Sequence, residues 1–441
     1  MKLAWRTVVL AACLGAGVLV AWVHTERTNK GSWDEQAAAE NLDRRESQWA
    51  EWPKAARDHG TFCVSCHTAM PYALARPALR AALGEETPSA GERKLLDDVT
   101  KRVRLWNTVQ PYYSDMAAQS RGTEAVLNAL ILASYDARNG HLTSDTRDAF
   151  DDMWKLQVTS GDERGAWQWI QFDNEPWEAP DSAYYGACLA AVAVGIAPES
   201  YSSTPAVQEN LKVLRDYLER ESAAQTPLKR VDLLWASANL PGLLNSLQQQ
   251  SIVDEILSKQ RADGGWSLSS LVGKWEREDG TPLVTNSDGY ATGLVVLVLE
   301  QMGMSRENTH VKEGLSWLVR NQSSWGGGWP GYSLNMRRHN PFSMIARFMD
   351  DAATAFAVLA LTQTRNQRGP ATLRFNRGTK NRLEERADFA DGATIPRLFG
   401  PWVSGRRMPN AAVRASRAIE CQTSEPAVYL TEPNMPGGVP G

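Results

Sequence analysis

Apolar and polar residues follow helical spacing along most of this chain, and the strict alternation of a half-buried strand is nearly absent. Five segments share a run of small and apolar residues that usually opens on an acidic residue. These segments are residues 122–130, 181–189, 231–239, 287–295 and 350–358. Equivalent positions in them lie 58, 50, 56 and 63 residues apart, a period that fits two helices and a loop. The pattern therefore predicts an all-α chain built from helix pairs.

Three of the intervening loops carry a second signature, a Gln followed by a spacer and then Gly-x-Trp. The loops run from Gln157 to Trp167, from Gln260 to Trp266 and from Gln322 to Trp329. We expect the Gln amide to bind loop backbone and stack on the Trp, while Gly supplies the turn. Each loop is then expected to tie an outer helix to the next inner one, which is a bracing role and not a chemical one.

These loops, and the helices that follow them, resemble the squalene–hopene cyclase and prenyltransferase superfamily over residues 91–365. The resemblance implies an α/α toroid of concentric inner and outer helices around a central cavity. Five helix pairs are visible in the sequence, whereas a closed barrel of this kind has six. The sixth pair is either incomplete or supplied by the segment before residue 91.

Cyclases of this family protonate an isoprenoid with an Asp of a D-x-D-D motif, and the nearest match here reads Phe-Met-Asp-Asp at residues 348–351. Asp350 and Asp351 are therefore the candidate catalytic carboxylates, but Phe348 stands where the motif has its first Asp. Carboxylates at a helix start are also explained by the helix dipole alone. Prenyltransferases need a zinc set of Asp, Cys and His, and nothing at the expected spacing joins Cys188 to a His. Fold resemblance by itself establishes neither activity.

The composition adds an unusual aromatic signal, 17 Trp against 9 Phe. Two groups of rings stand close together in the cyclase-like region. One group is Trp169, Trp177, Tyr184 and Tyr185, and the other is Trp325, Trp329 and Tyr332. An aromatic-lined bowl suits an apolar, elongated ligand such as an isoprenoid or a quinone, and simple packing of the rings is the alternative.

The strongest chemical motif lies before the repeats, at Cys63-Val-Ser-Cys66-His67, which reads C-x-x-C-H. Its spacing lets two thiols reach the two vinyl groups of one porphyrin while His67 reaches the iron. The motif resembles that of c-type cytochromes, which implies one covalent haem c, with thioethers from Cys63 and Cys66 and with His67 as the proximal ligand. The alternatives are a thioredoxin-type dithiol, for which the surrounding βαβ pattern is missing, and a zinc site, for which only His59 is nearby.

The sequence leaves the second axial ligand of such a haem open. Met70 follows His67 too closely to wrap around to the opposite face, whereas Met116 lies farther on and can reach across. His59 is another candidate, and an open coordination position is the third possibility. A six-coordinate haem favours electron transfer, and an open iron favours the binding or activation of a small molecule.

The N-terminus indicates the compartment. Residues 7–23 are an apolar run without a charge, preceded by Lys2 and Arg6, and they are just long enough to span a bilayer. An uncleaved membrane anchor is our first interpretation, with a cleaved signal peptide or a lipoprotein modified at Cys13 as the alternatives. All three predict export, to the periplasmic side of a bacterial inner membrane, where thioether attachment of haem takes place.

We therefore divide the chain into five expected parts. They are an anchor at 1–24, a polar linker at 25–45 (a solvated tether or a frayed helix), a haem segment at 46–90, the toroid at 91–365 and a basic, Pro/Gly-rich tail at 366–441. The net charge of −4 gives no reason to expect nucleic acid as a partner. The expected function is electron transfer or redox chemistry with a redox partner protein or a quinone-like or isoprenoid-like ligand. An isoprenoid cyclase or isomerase, and a lipid- or protein-binding scaffold with a sensor haem, are the alternatives.

Overall fold

The computed structural model describes residues 32–336 and 340–363. Within these ranges the chain forms twelve α-helices and one short antiparallel ribbon, so the expected all-α class is confirmed. The helices are α1 (Glu35–Ala50), α2 (Ala69–Leu83), α3 (Ala90–Arg104), α4 (Ala117–Asn139), α5 (Ser144–Lys155), α6 (Ser182–Ile196), α7 (Gln208–Glu221), α8 (Pro227–Asn239), α9 (Ser246–Ser258), α10 (Gly289–Gln301), α11 (Thr309–Arg320) and α12 (Phe348–Thr362). The ribbon pairs β1 (Ala56–Arg57) with β2 (Thr61–Phe62), with Ala56 opposite Phe62.

The even-numbered helices from α4 to α12 contain the five segments whose pattern recurs in the sequence. They are buried on nearly every side: in α6 all residues from Ser182 to Val194 are buried, and in α10 all residues from Gly289 to Leu299. The odd-numbered helices are amphipathic instead, and α11 buries a single stripe that includes Val311 and Leu318. The even-numbered helices therefore form the core, and the odd-numbered helices cover it.

Consecutive even-numbered helices pack against each other, α4 on α6, α6 on α8, α8 on α10 and α10 on α12. Helix α2, which follows the C-x-x-C-H motif, packs against both α12 and α4. Their close approach needs small residues, as at Gly293 of α10, where a Cβ would lie 2.6 Å from backbone atoms of Phe356 and Ala357 in α12. The helix supplied by the expected haem segment is thus packed together with the helices of residues 91–365.

The three Gln–Gly–Trp loops make the backbone hydrogen bonds that the sequence predicts. The side-chain amide of Gln260 donates to the carbonyl oxygen of Gly264 at 2.8 Å. The amides of Gln157 and Gln322 bind the equivalent glycines at 3.1 and 2.8 Å. All three glycines have a φ between 71° and 106°, a conformation that other residues rarely adopt.

A second partner of each Gln differs from our expectation. Gln260 also donates to the carbonyl oxygen of His310, at the start of α11, so the amide ties one odd-numbered helix to the next odd-numbered helix at 2.9 Å. The inward link is made by Trp266 instead. Its backbone N–H donates to Thr292 Oγ1 of α10 at 2.9 Å, and its indole N–H donates to the carbonyl oxygen of Ile256 in α9 at 2.8 Å. Each such loop therefore joins three helices.

The last of these loops reaches the beginning of the described chain. The side-chain nitrogen of Gln322 donates to the carbonyl oxygen of Asp34 at 2.8 Å, and the side-chain oxygen of Gln322 accepts a hydrogen bond from the backbone N–H of Asp34 at 2.7 Å. The Asp34 carboxylate caps α1 by accepting a backbone N–H of the first turn at 2.9 Å, and α1 buries one face around Leu42. The prediction of a solvated or frayed linker at 25–45 is therefore wrong for residues 35–45, which belong to a capped and packed helix.

No helix within the described ranges is long and apolar enough to cross a membrane. The expected anchor at residues 7–23 and the expected tail at 366–441 lie outside the described residues. Both stay predictions.

We predict that Gln260→Ala lowers the free energy of unfolding by roughly 1–3 kcal/mol, because two backbone carbonyl oxygens lose their donor. Urea denaturation followed by far-UV circular dichroism measures the change. Gln250→Ala is the matched control, since the exposed Gln250 amide bonds Asp254 within the same helix. Equal losses in the two variants would contradict a bracing role for the loop.

Candidate functional site

The C-x-x-C-H segment lies between β2 and α2, and side chains from other parts of the chain hold it in place. Trp49, at the end of α1, donates its indole N–H to the carbonyl oxygen of Cys63 at 2.7 Å. The backbone N–H of Val64 donates to the hydroxyl of Tyr112, in the loop before α4, at 3.2 Å. All residues from 61 to 68 are buried. The motif is therefore an interior element of the fold and not a surface loop.

The two cysteines of the motif are free and nearly enclosed, with Cys63 7% and Cys66 5% exposed. Burial raises the pKa of the Cys63 thiol to about 12 and that of the Cys66 thiol well above its ordinary value. Both side chains are therefore neutral thiols near pH 7. A thioredoxin-type dithiol needs a cysteine of lowered pKa, so these surroundings do not favour that alternative.

Aromatic rings enclose the imidazole of His67. Phe348, the first residue of α12, stacks on it with ring centroids 3.6 Å apart and planes 14° apart. Trp49 meets it edge-on at 4.8 Å, and Trp177 lies at 6.2 Å. Burial, with a further contribution from the guanidinium of Arg45, lowers the pKa of His67 to about 3. The ring is therefore neutral at physiological pH.

A chain of polar groups runs from His67 to the two helices at the ends of the described sequence. His67 Nδ1 lies 2.8 Å from Thr68 Oγ1, and Thr68 Oγ1 donates to Asp351 Oδ2, in the first turn of α12, at 2.7 Å. Arg45 of α1 donates to both oxygens of the same carboxylate, from Nε at 2.6 Å and from a terminal nitrogen at 2.9 Å. All four residues are buried.

These hydrogen bonds favour one tautomer of His67, the one with its proton on Nδ1. Burial raises the pKa of Asp351 on balance, but both of its oxygens accept hydrogen bonds from the Arg45 guanidinium, an arrangement that suits the ionised carboxylate. An ionised carboxylate only accepts, hence the Thr68 hydroxyl donates to Asp351 and its oxygen accepts from Nδ1–H of His67. A neutral imidazole has a single N–H, so Nε2 keeps its lone pair.

The two candidate catalytic carboxylates have different surroundings. The carboxylate of Asp350 accepts the backbone N–H of Gly331 at 2.8 Å, which braces the loop before α12. Asp351 is engaged by Arg45 and Thr68. A cyclase acid has to be protonated and to face an apolar substrate, whereas Asp351 is the anion of an ion pair, so this arrangement does not favour proton donation to an isoprenoid.

No group of three or more His, Cys, Asp or Glu side chains within the described ranges is arranged to hold a metal ion, so the zinc alternative has no support there. A haem iron takes only one or two protein ligands and does not need such a group. His59 is partly exposed in the turn between β1 and β2 and pairs with Asp58 at 3.0 Å. Met116 is half-buried in the short turn before α4, and its role as second axial ligand stays a prediction.

The aromatic residues expected to line a bowl are packed in the core instead. Trp169, Trp177, Tyr184 and Tyr185 are each at most 7% exposed. The indole N–H of Trp169 donates to the carbonyl oxygen of Trp177 at 2.8 Å, and that of Trp177 donates to the hydroxyl of Tyr290 at 3.2 Å. In the second group Trp325 is 98% exposed. The packing alternative therefore describes these rings better than the bowl does.

Sequence reasoning identified the thiols, His67 and Asp351, but it missed Arg45, Thr68 and Trp49 as parts of the same site. Arg45 lies 306 residues from Asp351 and falls in a stretch whose polar composition suggested a linker. Its one available signal was its helical spacing with Leu42 and Trp49, which marks a buried face.

We predict that Arg45→Met lowers the free energy of unfolding by about 3–5 kcal/mol, because the Asp351 carboxylate is left buried without its cation. Arg45→Met/Asp351→Leu removes both charges and is expected to recover much of that loss. Denaturation of the two single variants and the double variant gives the coupling energy between the residues. Simple addition of the two single losses would contradict this account of the pair.

We predict a pH-dependent gain in stability for Glu46→Gln. Both carboxyl oxygens of Glu46 are buried and have no hydrogen-bond partner among the described residues. Burial, followed by the nearby Asp351, raises the pKa of Glu46 from 4.5 to about 8. The folded state holds this proton more tightly than the unfolded state does, so Glu46 lowers stability increasingly as the pH rises from about 4.5 to about 8.

Thermal unfolding between about pH 5 and pH 9 tests this expectation. Glu46→Gln should raise the melting temperature most at the alkaline end, whereas Glu40→Gln, at an exposed position of the same helix, should change little throughout. A gain that is the same at every pH would mean that the charge of Glu46 is not its source.

Comparison with known proteins adds no relative: no protein-family model matches this chain, and no curated protein has a similar sequence. The likeness to cyclases and to c-type cytochromes accordingly stays an expectation drawn from motifs.

Proposed function

We propose that this chain is an exported, membrane-anchored c-type haem protein that carries out electron transfer or redox chemistry. Cys63 and Cys66 would hold one haem through thioether bonds, and His67 would ligate its iron. The observation that carries the proposal is the state of His67. It directly follows the pair of thiols, its ring is buried, and its Nδ1 lies 2.8 Å from the Thr68 hydroxyl, an arrangement that favours a lone pair on Nε2.

The residues present fit such a group. The lone pair of Nε2 lies in the plane of the imidazole, whereas Phe348 stacks on the face of that ring, so Phe348 does not take the place of a metal. No hydrogen bond to Nε2 is found within the described ranges. Cys63 and Cys66 are free thiols, which is the form required for thioether formation, in which S–H adds across a vinyl group. When bound, the haem supplies one-electron redox chemistry.

We further propose that the helices form an α/α toroid of six pairs, α1–α2 through α11–α12. Two observations support it. Each even-numbered helix packs on the even-numbered helices before and after it, with α2 between α12 and α4. The Gln322 loop binds Asp34 in the same way as the Gln260 loop binds His310, so α1 takes the place of the odd-numbered helix that follows α11. The sixth pair is then the one that carries the haem motif.

This arrangement favours electron transfer over isoprenoid cyclisation. The carboxylate of Asp351 is committed to Arg45 and Thr68, and the core aromatic rings are packed against each other. Electron transfer needs neither a proton donor nor a large apolar chamber. The partner is a redox protein, or a quinone-like or isoprenoid-like ligand, that approaches the end of the toroid at which the motif lies.

We predict that the chain, made with c-type maturation machinery, shows a sharp reduced α-band that survives acid–acetone extraction. Cys63→Ala/Cys66→Ala should lose the covalent haem. Cys188→Ala, which changes a fully buried cysteine of α6 outside the motif, should keep it. Carbon monoxide added to the reduced protein separates an open iron, which binds it, from a closed electron carrier. A colourless wild-type protein would refute the proposed function.

A further inference from the structure

We propose that Asp351, held by Arg45, is a positioning residue for His67. Through the hydroxyl of Thr68 it fixes the imidazole proton on Nδ1, and in the haem-loaded protein it makes Nε2 a stronger electron donor and lowers the midpoint potential. The first part concerns the polypeptide alone. The second part rests on the proposed function.

In the part of the chain that the structure describes, Nδ1 of His67 has one hydrogen-bonding neighbour. The rings around His67 belong to Phe348, Trp49 and Trp177. The indole N–H of Trp49 already donates to the carbonyl oxygen of Cys63. The indole N–H of Trp177 already donates to the hydroxyl of Tyr290. Thr68 Oγ1, at 2.8 Å, is the polar atom that Nδ1 meets.

A threonine hydroxyl alone cannot choose the tautomer, because it both donates and accepts. Rotated one way it donates to Nδ1 and drives the proton to Nε2. Rotated the other way it accepts from Nδ1–H and leaves Nε2 free. The carboxylate of Asp351, 2.7 Å from Oγ1, holds the hydroxyl hydrogen and permits only the second orientation.

Arg45 maintains this orientation of the Thr68 hydroxyl, because it keeps the Asp351 carboxylate charged and holds it in one position. Its Nε and one terminal nitrogen donate to the two oxygens of Asp351, and its other terminal nitrogen donates to Gln48 and Met344. Charge-assisted hydrogen bonds are stronger than neutral ones, so the dipoles of Thr68 and His67 line up toward the carboxylate.

The hydrogen bond from Nδ1–H to the Thr68 hydroxyl also affects how strongly Nε2 would donate electrons to a bound iron. A histidine ligand that gives its second N–H to an acceptor is more basic at the nitrogen that faces the metal. Here that acceptor is a hydroxyl backed by a carboxylate. Greater donation from Nε2 stabilises the ferric state relative to the ferrous state and lowers the midpoint potential.

The residue at the last position of the cyclase-like motif thereby has a different task in this chain. Asp351 acts on the ligand of the expected haem and not on an isoprenoid. Its test is the removal of the hydroxyl that links it to His67, because that change leaves the ion pair with Arg45 in place.

The first experiment uses the full chain without haem and with ¹⁵N-labelled histidine. His67→Gln assigns the His67 signals among the six histidines. We expect a protonated-type shift at Nδ1 and an unprotonated-type shift at Nε2 in the wild type and in Thr68→Ser, which keeps the hydroxyl. In Thr68→Val we expect a mixture of tautomers or the Nε2–H form. An Nε2–H form in the wild type, or an unchanged tautomer in Thr68→Val, overturns the proposal.

The second experiment measures the midpoint potential of the haem-loaded protein by redox titration. Thr68→Val should shift the potential upward, while Thr68→Ser should stay close to the wild type. Equal potentials in all three proteins overturn the tuning role. If the protein takes up no haem, the proposed function fails, and the tautomer measurement still decides the positioning role on its own.

Discussion

Two opposite charges that are both buried, on Arg45 and Asp351, constrain how α1, the C-x-x-C-H segment and α12 can pack. Burying such a pair costs free energy unless the donors and acceptors around it are matched. The Asp351 carboxylate accepts two hydrogen bonds from Arg45 and one from Thr68, which meets this requirement. Since the three residues belong to α1, to the C-x-x-C-H segment and to α12, satisfying one carboxylate brings three distant parts of the sequence together.

The first turn of α12 meets the motif through two residues of different chemistry. Phe348 and Asp351 stand three positions apart and therefore lie on one face of the helix. Phe348 packs on the face of the His67 ring, and Asp351 reaches the polar edge of the same ring through Thr68. Phe348 and Asp351 thus share one physical role, which is to contact the histidine that lies against this turn.

Local rules predicted much of the fold. The repeated small and apolar runs became the buried even-numbered helices, and the Gln–Gly–Trp loops bind their own backbone as expected, because both depend on residues close in sequence. The packing of α1 against the other helices could not be predicted from residues close in sequence. Its mean composition is polar, and its buried face becomes necessary only once α2 and α12 are beside it. The partners of His67 were hidden for the same reason, since Arg45 and Asp351 are adjacent only in space.

The enclosure of the two thiols has a consequence for the order in which the molecule is made. Residues 61–68 leave the ribosome long before α12 does, and until α12 arrives nothing from it covers His67. In the finished fold Cys63 and Cys66 are 5–7% exposed, too little for a porphyrin to approach them. If a prosthetic group is attached at this motif, attachment would have to come before the thiols become enclosed. The docking of α12 on His67 would then belong to a later stage of folding, after the covalent chemistry.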